Sequence, residues 1–210
     1  MLRFIYGAQL GCFTKLRATM FQDRAFQFRD RLGWPVHVDE TGEEHDQYDH
    51  DETLYVIWEN PDGSHGGSMR LLPTLGRTMV NDHFLHLTGG QPVKDPAIWE
   101  CTRFCLSRGA SPRVAAALML AGGEVMQRFD IEHFVGVFDA PMTRIYQKIG
   151  SSPVILGASG HGRHKTSVGL WQFSEQARST VARSAAISAP LLRLWCDRSL
   201  GLPESQRMSA

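Results

Sequence analysis

A strong signal for the fold is the stretch Leu54-Tyr55-Val56-Ile57-Trp58-Glu59-Asn60-Pro61-Asp62-Gly63. Its first half is a continuous apolar run of strand length, which is typical of a central strand in a sheet. Its second half consists of residues that tight turns favour, because they accept the backbone angles of a turn. Another strand-like run follows at residues 67–72. The pattern therefore predicts an antiparallel hairpin inside a sheet.

Strands and helices alternate on both sides of this hairpin. Upstream, residues 2–6 form a predicted strand, and a predicted helix runs from Thr14 to about Leu32, where Gly33 and Pro35 end it. Downstream, the patterns predict a short helix at residues 79–87, strands at 99–106, 134–138, 153–156 and 168–173, and helices at 112–129, 141–149, 174–187 and 190–200. This order predicts an α/β fold, a three-layer αβα sandwich around a mixed, mostly antiparallel sheet.

The composition is that of an ordinary globular chain. Of its 210 residues, 42% are hydrophobic and 21% are charged. Lysine and arginine together number 22, as do aspartate and glutamate, so no overall field favours a nucleic-acid partner. The length predicts one domain over residues 1–187, followed by a C-terminal helix and a flexible tail at 188–210.

The cysteines are scattered and form no Cys-x-x-Cys pair: Cys12, Cys101, Cys105 and Cys196. Cys101 and Cys105 are spaced to point the same way along a regular strand, which predicts small apolar fillers. We see no signal peptide, and the most apolar stretch, residues 114–123, is too short to cross a bilayer. We therefore expect a reduced, soluble, cytoplasmic protein with no membrane span.

Glu100 and Arg103 place opposite charges in one predicted strand, where unpaired charge is costly to bury. They form a structural ion pair, lie at a sheet edge, or belong to a functional pocket. In a regular strand the two side chains point to opposite faces, because their separation is odd. They share a pocket only if a β-bulge intervenes, and bulges are common beside active sites.

Arg24, Phe28 and Trp34 lie at the end of the first long predicted helix. The simplest interpretation is a half-buried helix face that closes on the core. The alternative is a pocket for a cationic ligand, with aromatic faces for its positive charge and an arginine for its carboxylate.

Arg70 is unusual because it lies in an otherwise apolar strand, where an inward arginine needs a partner. Asp46 and Asp49, in the polar loop before the hairpin, are candidate partners, and so is a ligand. The two acids are otherwise explained as solvated loop residues.

Common catalytic loops are absent from the sequence, which contains no Gly-x-Ser-x-Gly, Walker or Gly-x-Gly-x-x-Gly motif. The pairs His83-x-x-His86 and His161-x-x-His164 have metal-like spacing but lack cysteine or carboxylate companions in a helical frame. The sequence therefore predicts no metal site, and it gives no support to hydrolase, NTPase or dinucleotide-binding functions.

These residues together resemble, in type, order and spacing, the signature of the acyl-homoserine-lactone synthases, the autoinducer synthases of bacterial quorum sensing. The resemblance covers roughly residues 2 to 150 and is carried by Arg24, Phe28, Trp34, Asp46-Gln47-Tyr48-Asp49, Arg70, Phe84, Glu100 and Arg103-Phe104. It implies a fold related to the N-acetyltransferases, with residues 1–187 as the synthase domain.

The resemblance also implies a reaction between two substrates, with no further cofactor. The amine of S-adenosylmethionine attacks an acyl thioester carried on acyl carrier protein or coenzyme A, and the product lactonises and expels methylthioadenosine. The implied catalytic residues are Glu100 as general base, Asp46 as the second candidate, and Arg103. The implied S-adenosylmethionine-binding residues are Arg24, Phe28, Trp34, Asp46, Asp49, Arg70, Phe84 and Arg103.

A tunnel for the acyl chain is implied between the sheet and the helix around residues 111–129, near Cys101, Gly122, Gly136, Phe138 and Met142. Gly136 lies where similar enzymes carry a threonine that hydrogen-bonds 3-oxo chains. Because glycine cannot make that side-chain bond, we expect an acyl chain that is unsubstituted at C3.

Two other functions stay open at this point. One is an N-acyltransferase of the same fold that acylates another amine without lactonisation, although the residues at 24–49 argue against it. The other is a non-catalytic protein that binds S-adenosylmethionine or an acyl thioester. An acidic carrier protein needs a basic surface, and candidates that an ordinary solvated surface explains equally well are Arg144, Lys148, Arg163, His164 and Lys165.

Overall fold

The computed structural model describes residues 1–162 and 165–201. Their sheet consists of β1 Leu2–Tyr6, β2 Leu54–Glu59, β3 His65–Pro73, β4 Ile98–Leu106, β5 His133–Asp139, β6 Val154–Ser159 and β7 Thr166–Trp171. Their helices are α1 Gly7–Leu10, α2 Thr14–Ala25, α3 Met79–His83, α4 Pro112–Arg128, α5 Ala140–Ile149, α6 Glu175–Ala185 and α7 Ala189–Leu200.

The strands lie in the order β1-β2-β3-β4-β5-β7-β6. Neighbouring strands are antiparallel except β4 and β5, which are parallel. The predicted hairpin is confirmed as β2–β3, in which Val56 lies opposite Met69. The prediction of a mixed, mostly antiparallel sheet is confirmed as well.

Helices cover both faces of the sheet, which confirms the predicted three layers. On one face α4, α6 and α7 bury the largest apolar cluster, in which Leu118 and Val125 of α4 are fully buried. On the other face Leu16 of α2 and Val80 of α3 belong to two smaller clusters. Removing this apolar surface from water is the main stabilising term of the fold, at about 25 cal/mol per Å².

The first long helix differs from its predicted form. Helix α2 ends at Ala25, and a wider π-helical turn, Phe26–Arg31, carries the chain to the predicted stop at Gly33. The backbone of Gly33 has a φ of +67°, the left-handed region that favours glycine. Such π-turns frequently mark functional sites.

The C-terminal helix α7 packs against β1 and α4. Its residues Leu192 and Cys196 are buried in the largest apolar cluster. The flexible tail that we predict beyond this helix falls on residues 202–210, which lie outside the described residues. In residues 1–162 and 165–201 we find no helix with the length and hydropathy that a bilayer-spanning segment requires.

The middle of the sheet contains a gap, because β4 and β5 diverge. Their parallel pairing joins only three residue pairs, the last of which is Glu100 with Val135. Both strands continue beyond this point, to Leu106 and Asp139 respectively. The fold therefore opens a cleft between two strands of its own sheet.

Candidate active site

A β-bulge in β4 brings Glu100 and Arg103 to the same face of the sheet. Ser68 and Arg70 of β3 lie opposite Cys105 and Thr102, so β4 carries one extra residue there. Arg103 adopts a φ of +50°, which costs a non-glycine residue about 1–3 kcal/mol. The bulge is therefore the feature that puts both charged side chains on one face of the sheet.

The same bulge separates two cysteines that we expected to point the same way. Cys101 packs against the apolar cluster on the α4 face. Cys105 lies on the opposite face, where the charges of Asp23, Arg24 and Glu44 act on it. The prediction of a shared face was wrong because it assumed a regular strand.

A buried network of charges lies on the face of β4 that carries Glu100. Arg24, only 1% exposed, donates from Nε to Glu44 at 2.6 Å and from Nη1 and Nη2 to both oxygens of Asp49 at 2.9 and 2.8 Å. Glu44 is completely buried and also accepts a hydrogen bond from Nη2 of Arg103 at 2.8 Å. One carboxylate thus holds two arginines from distant parts of the chain.

Arg70 completes the network from β3. It is fully buried, and it donates to Asp46 at 2.9 Å, to Asp49 at 2.9 Å and to the hydroxyl of Thr102 at 3.0 Å. Asp46 also pairs with Arg103 at 2.7 Å. Of the partners considered for Arg70, both loop acids are bonded to it. Three guanidinium groups face three carboxylates, so the buried charges balance.

The electrostatics keep these acids ionised. Burial alone raises the pKa of Asp49, but the charges of Arg24 and Arg70 outweigh it and hold the pKa well below its usual range. The pKa of Asp46 is likewise lowered, because its bonds and attraction to Arg70 and Arg103 exceed the effect of burial. Neither carboxylate is therefore suited to pick up a proton near neutral pH.

Glu100 behaves in the opposite way. Its side chain is fully buried, and it accepts hydrogen bonds from the backbone N–H groups of Met79 at 3.0 Å and Val80 at 2.6 Å, where α3 begins. Burial raises the pKa of Glu100 to about 7, even though these bonds and the charge of Arg70 act to lower it. A carboxyl group with this pKa can both accept and release a proton at neutral pH.

Aromatic residues adjoin the network where the π-helical turn ends. The rings of Phe28 and Trp34 stack with centroids 5.2 Å apart and planes 20° apart. The guanidinium carbon of Arg103 lies 5.1 Å from the centre of the Phe28 ring. An aromatic face and a guanidinium group therefore lie side by side, which suits a ligand that carries a cation and a carboxylate.

A cavity of about 1030 Å³ fills the gap between β4 and β5. It is lined by four predicted S-adenosylmethionine-binding residues, Phe28, Trp34, Phe84 and Arg103, and by all the predicted acyl-pocket residues, Cys101, Gly122, Gly136, Phe138 and Met142. Five predicted site residues are not among those that line it: Arg24, Asp46, Asp49, Arg70 and Glu100. The roles assigned to all these residues stay predictions.

Sequence reasoning missed several residues of this region. Nothing in the polar loop distinguishes Glu44, which pairs with Arg24 and Arg103, from its acidic neighbours. Trp171 and Tyr146 also escaped notice, although they line the cavity and pack edge to face with Phe138. The isolated aromatics of β7 and α5 gave no signal, because only the fold brings them together.

The predicted absence of a metal site concerned two histidine pairs. In the described part of the chain the metal-like grouping is a different one, made by Asp39, Glu43 and His45. Glu43 is already paired with Arg17 at 3.1 Å, and Asp39 accepts hydrogen bonds within its own turn. This cluster is explained by its internal bonds, and it lies outside the cavity lining.

Comparison with known proteins supplies the family. The sequence model of the autoinducer synthase family matches residues 10–180 of this chain. The acyl-homoserine-lactone synthase of Rhizobium etli is 40% identical over 182 residues, which cover 83% of this chain and 85% of that protein.

Solved structures agree with the fold. The CoA-dependent acyl-homoserine lactone synthase BjaI, with S-adenosylmethionine and isopentyl-CoA, gives a TM-score of 0.80 at 20% identity and covers 90% of both chains. An acyl-CoA N-acyltransferase from Pseudomonas aeruginosa gives 0.54 at 17% identity, over 82% of this chain and 99% of that one. These likenesses confirm the predicted relation to N-acyltransferase folds, and the matches in sequence show that the chain belongs to the acyl-homoserine-lactone synthase (autoinducer synthase) family.

Proposed function

We propose that this protein acylates the amine of S-adenosylmethionine and that the product cyclises to an N-acyl-homoserine lactone. In the first step the amine nitrogen bonds to the acyl carbon while the C–S bond of the thioester breaks and a thiol leaves. In the second, the carboxylate oxygen displaces the sulfonium sulfur, and methylthioadenosine leaves. The supporting observation is one cavity that joins an aromatic and cationic end to an apolar end, with Met79, whose backbone N–H donates to Glu100, in its lining.

The aromatic end suits S-adenosylmethionine. The stacked rings of Phe28 and Trp34 offer a face to the sulfonium and the adenine, and Arg103 offers its guanidinium to the carboxylate. Arg24 and Arg70 donate hydrogen bonds to acids of the network and, unlike Arg103, they do not line the cavity. We assign these two arginines to holding the pocket in shape rather than to contact with the substrate.

Glu100 is the proposed general base. The amine of the substrate attacks only when it is neutral, so its proton must leave first. With a pKa of about 7, Glu100 is partly ionised at neutral pH and can accept that proton, directly or through a water. Asp46 is a weaker candidate, because its pKa is lowered and its oxygens are bonded to Arg70 and Arg103.

The apolar end suits an acyl chain unsubstituted at C3. A side chain at Gly136 would place its Cβ 2.8 Å from the carbonyl oxygen of Cys101 and 3.2 Å from the ring of Trp171. The wall at this point therefore has no room for a hydroxyl-bearing side chain. A 3-oxo group bound here would lose its bonds to water without a partner from residue 136.

We expect a saturated acyl thioester to give a kcat/KM about tenfold higher than the 3-oxo thioester of the same length, since an unpaired polar group costs roughly 1–3 kcal/mol. Both rates are measured as release of methylthioadenosine, with the two acyl groups attached to the same thioester carrier. A faster reaction with the 3-oxo thioester would reject this preference.

The donor is proposed to be an acyl thioester of coenzyme A or of acyl carrier protein. The comparison with BjaI, which is described as CoA-dependent, supports coenzyme A. Of the basic residues considered for an acidic carrier protein, Arg144, Lys148 and Lys165 are exposed, and Arg163 and His164 lie outside the described residues. Parallel assays with the two donors will separate these possibilities.

A coupled assay tests the function. Purified protein receives S-adenosylmethionine and a mixture of both kinds of thioester, and mass spectrometry detects lactone and methylthioadenosine. We expect both products. An acyl amide without methylthioadenosine would instead identify an N-acyltransferase that does not lactonise, and calorimetric binding without any product would identify a binding protein.

A further inference from the structure

The ring of Phe173, two residues beyond β7, belongs to the lining of the cavity between β4 and β5. It also belongs to the lining of a second cavity of about 500 Å³. Phe173 lines both cavities, and so do Gly123 and Met126 of α4. The two cavities are therefore adjacent, and these three residues form the wall between them.

The ring is seated directly on the backbone of α4. A Cβ atom at Gly123 would lie 1.9 Å from Cε1 and 2.0 Å from Cδ1 of Phe173, far inside any real contact. Glycine inside a helix costs about 1 kcal/mol relative to alanine. Here its missing side chain provides the space that the ring occupies, so the seal depends on the fit between Gly123 and Phe173.

The chemistry changes across this wall. The first cavity is lined largely by apolar residues, among them Met119, Phe134 and Trp171. The second cavity is lined mostly by polar and charged residues: Gln127, Asp130, Glu132, Gln172, Glu175 and Arg178. A hydrocarbon chain gains burial up to the ring and meets polar groups behind it.

We propose that Phe173 is the end wall that limits the length of the acyl chain, and that truncating it joins the two cavities. This inference rests on the proposed function for the identity of the chain. The space that the ring vacates then accepts chains longer than the wild-type protein does, up to the polar lining of the second cavity.

The test compares Phe173→Ala and Phe173→Leu with wild type across saturated acyl-coenzyme A thioesters of increasing length. With Phe173→Ala we expect the preferred chain to lengthen, with kcat/KM rising up to about fourfold for each methylene that gains burial. Phe173→Leu should give a smaller shift, because it removes less of the ring. The KM for S-adenosylmethionine should stay unchanged.

Phe13→Ala is the matched control. Phe13 is also half-buried, but it packs against the apolar cluster of α1 and α2 and lines neither cavity. It should leave the chain-length profile unchanged, and thermal unfolding will show that all variants fold. An unchanged optimum in both folded Phe173 variants, with lactone still formed, would overturn the inference and leave the proposed function standing.

Binding tests the wall without turnover. Calorimetry with the same acyl-coenzyme A series should show that the Phe173→Ala protein binds longer chains more tightly than wild type does. If no lactone forms with any donor but this shift occurs, the wall is supported and the proposed function fails. An unchanged binding profile would count against the wall, whether or not lactone forms.

Discussion

Glu100→Gln is expected to lower kcat for lactone formation by about 10²- to 10⁴-fold, the range that a positioned general base contributes. The variant keeps the shape of the side chain but cannot accept a proton. In wild type, activity should rise as the pH passes about 7, since the carboxyl group must be ionised to act as a base. The variant should lose this rise along with its activity.

Glu100 should also make the stability of the protein depend on pH. The pKa of Glu100 is raised from 4.5 to about 7 in the folded protein. Between these values the folded state binds more protons than the unfolded state, so the free energy of unfolding from this group falls as the pH rises. Urea unfolding at pH 5 and pH 8 should therefore show a wild-type decline that Glu100→Gln lacks.

The exposed residue Glu52 provides a matched control for both measurements. Glu52→Gln makes the same chemical change at a residue that does not line the cavity, so it should preserve both activity and the pH dependence of stability. A folded Glu100→Gln protein with wild-type kcat would exclude Glu100 as the base.

Glu44→Gln is expected to destabilise the fold by about 3–5 kcal/mol, because removing one partner of a buried ion pair leaves charge uncompensated. Glu44 is the buried carboxylate shared by Arg24 and Arg103. Loss of its charge should also free Arg103 to move and raise the KM for S-adenosylmethionine. Urea unfolding and steady-state kinetics measure the two effects.

The neighbouring Glu43 offers a close comparison. Glu43 is buried too, but its partner Arg17 has a side chain that is 38% exposed, so solvent screens this ion pair more than the pairs of Glu44. Glu43→Gln should therefore cost less than Glu44→Gln and leave the KM unchanged. If the two substitutions destabilise the protein equally, the buried network does not have the role described for it.

The sequence was sufficient for the hairpin and the alternation of elements, because these depend on local signals. The apolar run at residues 54–58 and the turn after it specify β2 and β3 without reference to distant residues. Likewise Ser111 and Pro112 mark the start of α4, where Ser111 accepts a hydrogen bond from the N–H of Arg113.

The candidate site was harder to predict from the sequence, because its parts depend on contacts between distant segments. The sequence shows that Glu100 and Arg103 need a bulge to share a face. It does not show where the bulge lies, because the register between β3 and β4 fixes that position. Nothing in the sequence around Glu44 predicts that this residue is buried. Its burial depends on the ion pairs with Arg24 and Arg103, which come from other segments of the chain. The role proposed for Phe173 depends on its contact with Gly123, which lies fifty residues earlier in the chain.

The divergence of β4 and β5 leaves two strand edges in the middle of the sheet. Past Glu100 and Val135, within the described residues, β4 and β5 are no longer paired with each other. At the rim of a sheet such edges recruit other chains. Here they border the cavity, whose lining includes Thr102 and Arg103 of β4 and Val137 and Phe138 of β5. The strand edges therefore offer backbone hydrogen-bonding groups to a ligand inside the protein rather than to another chain at its rim.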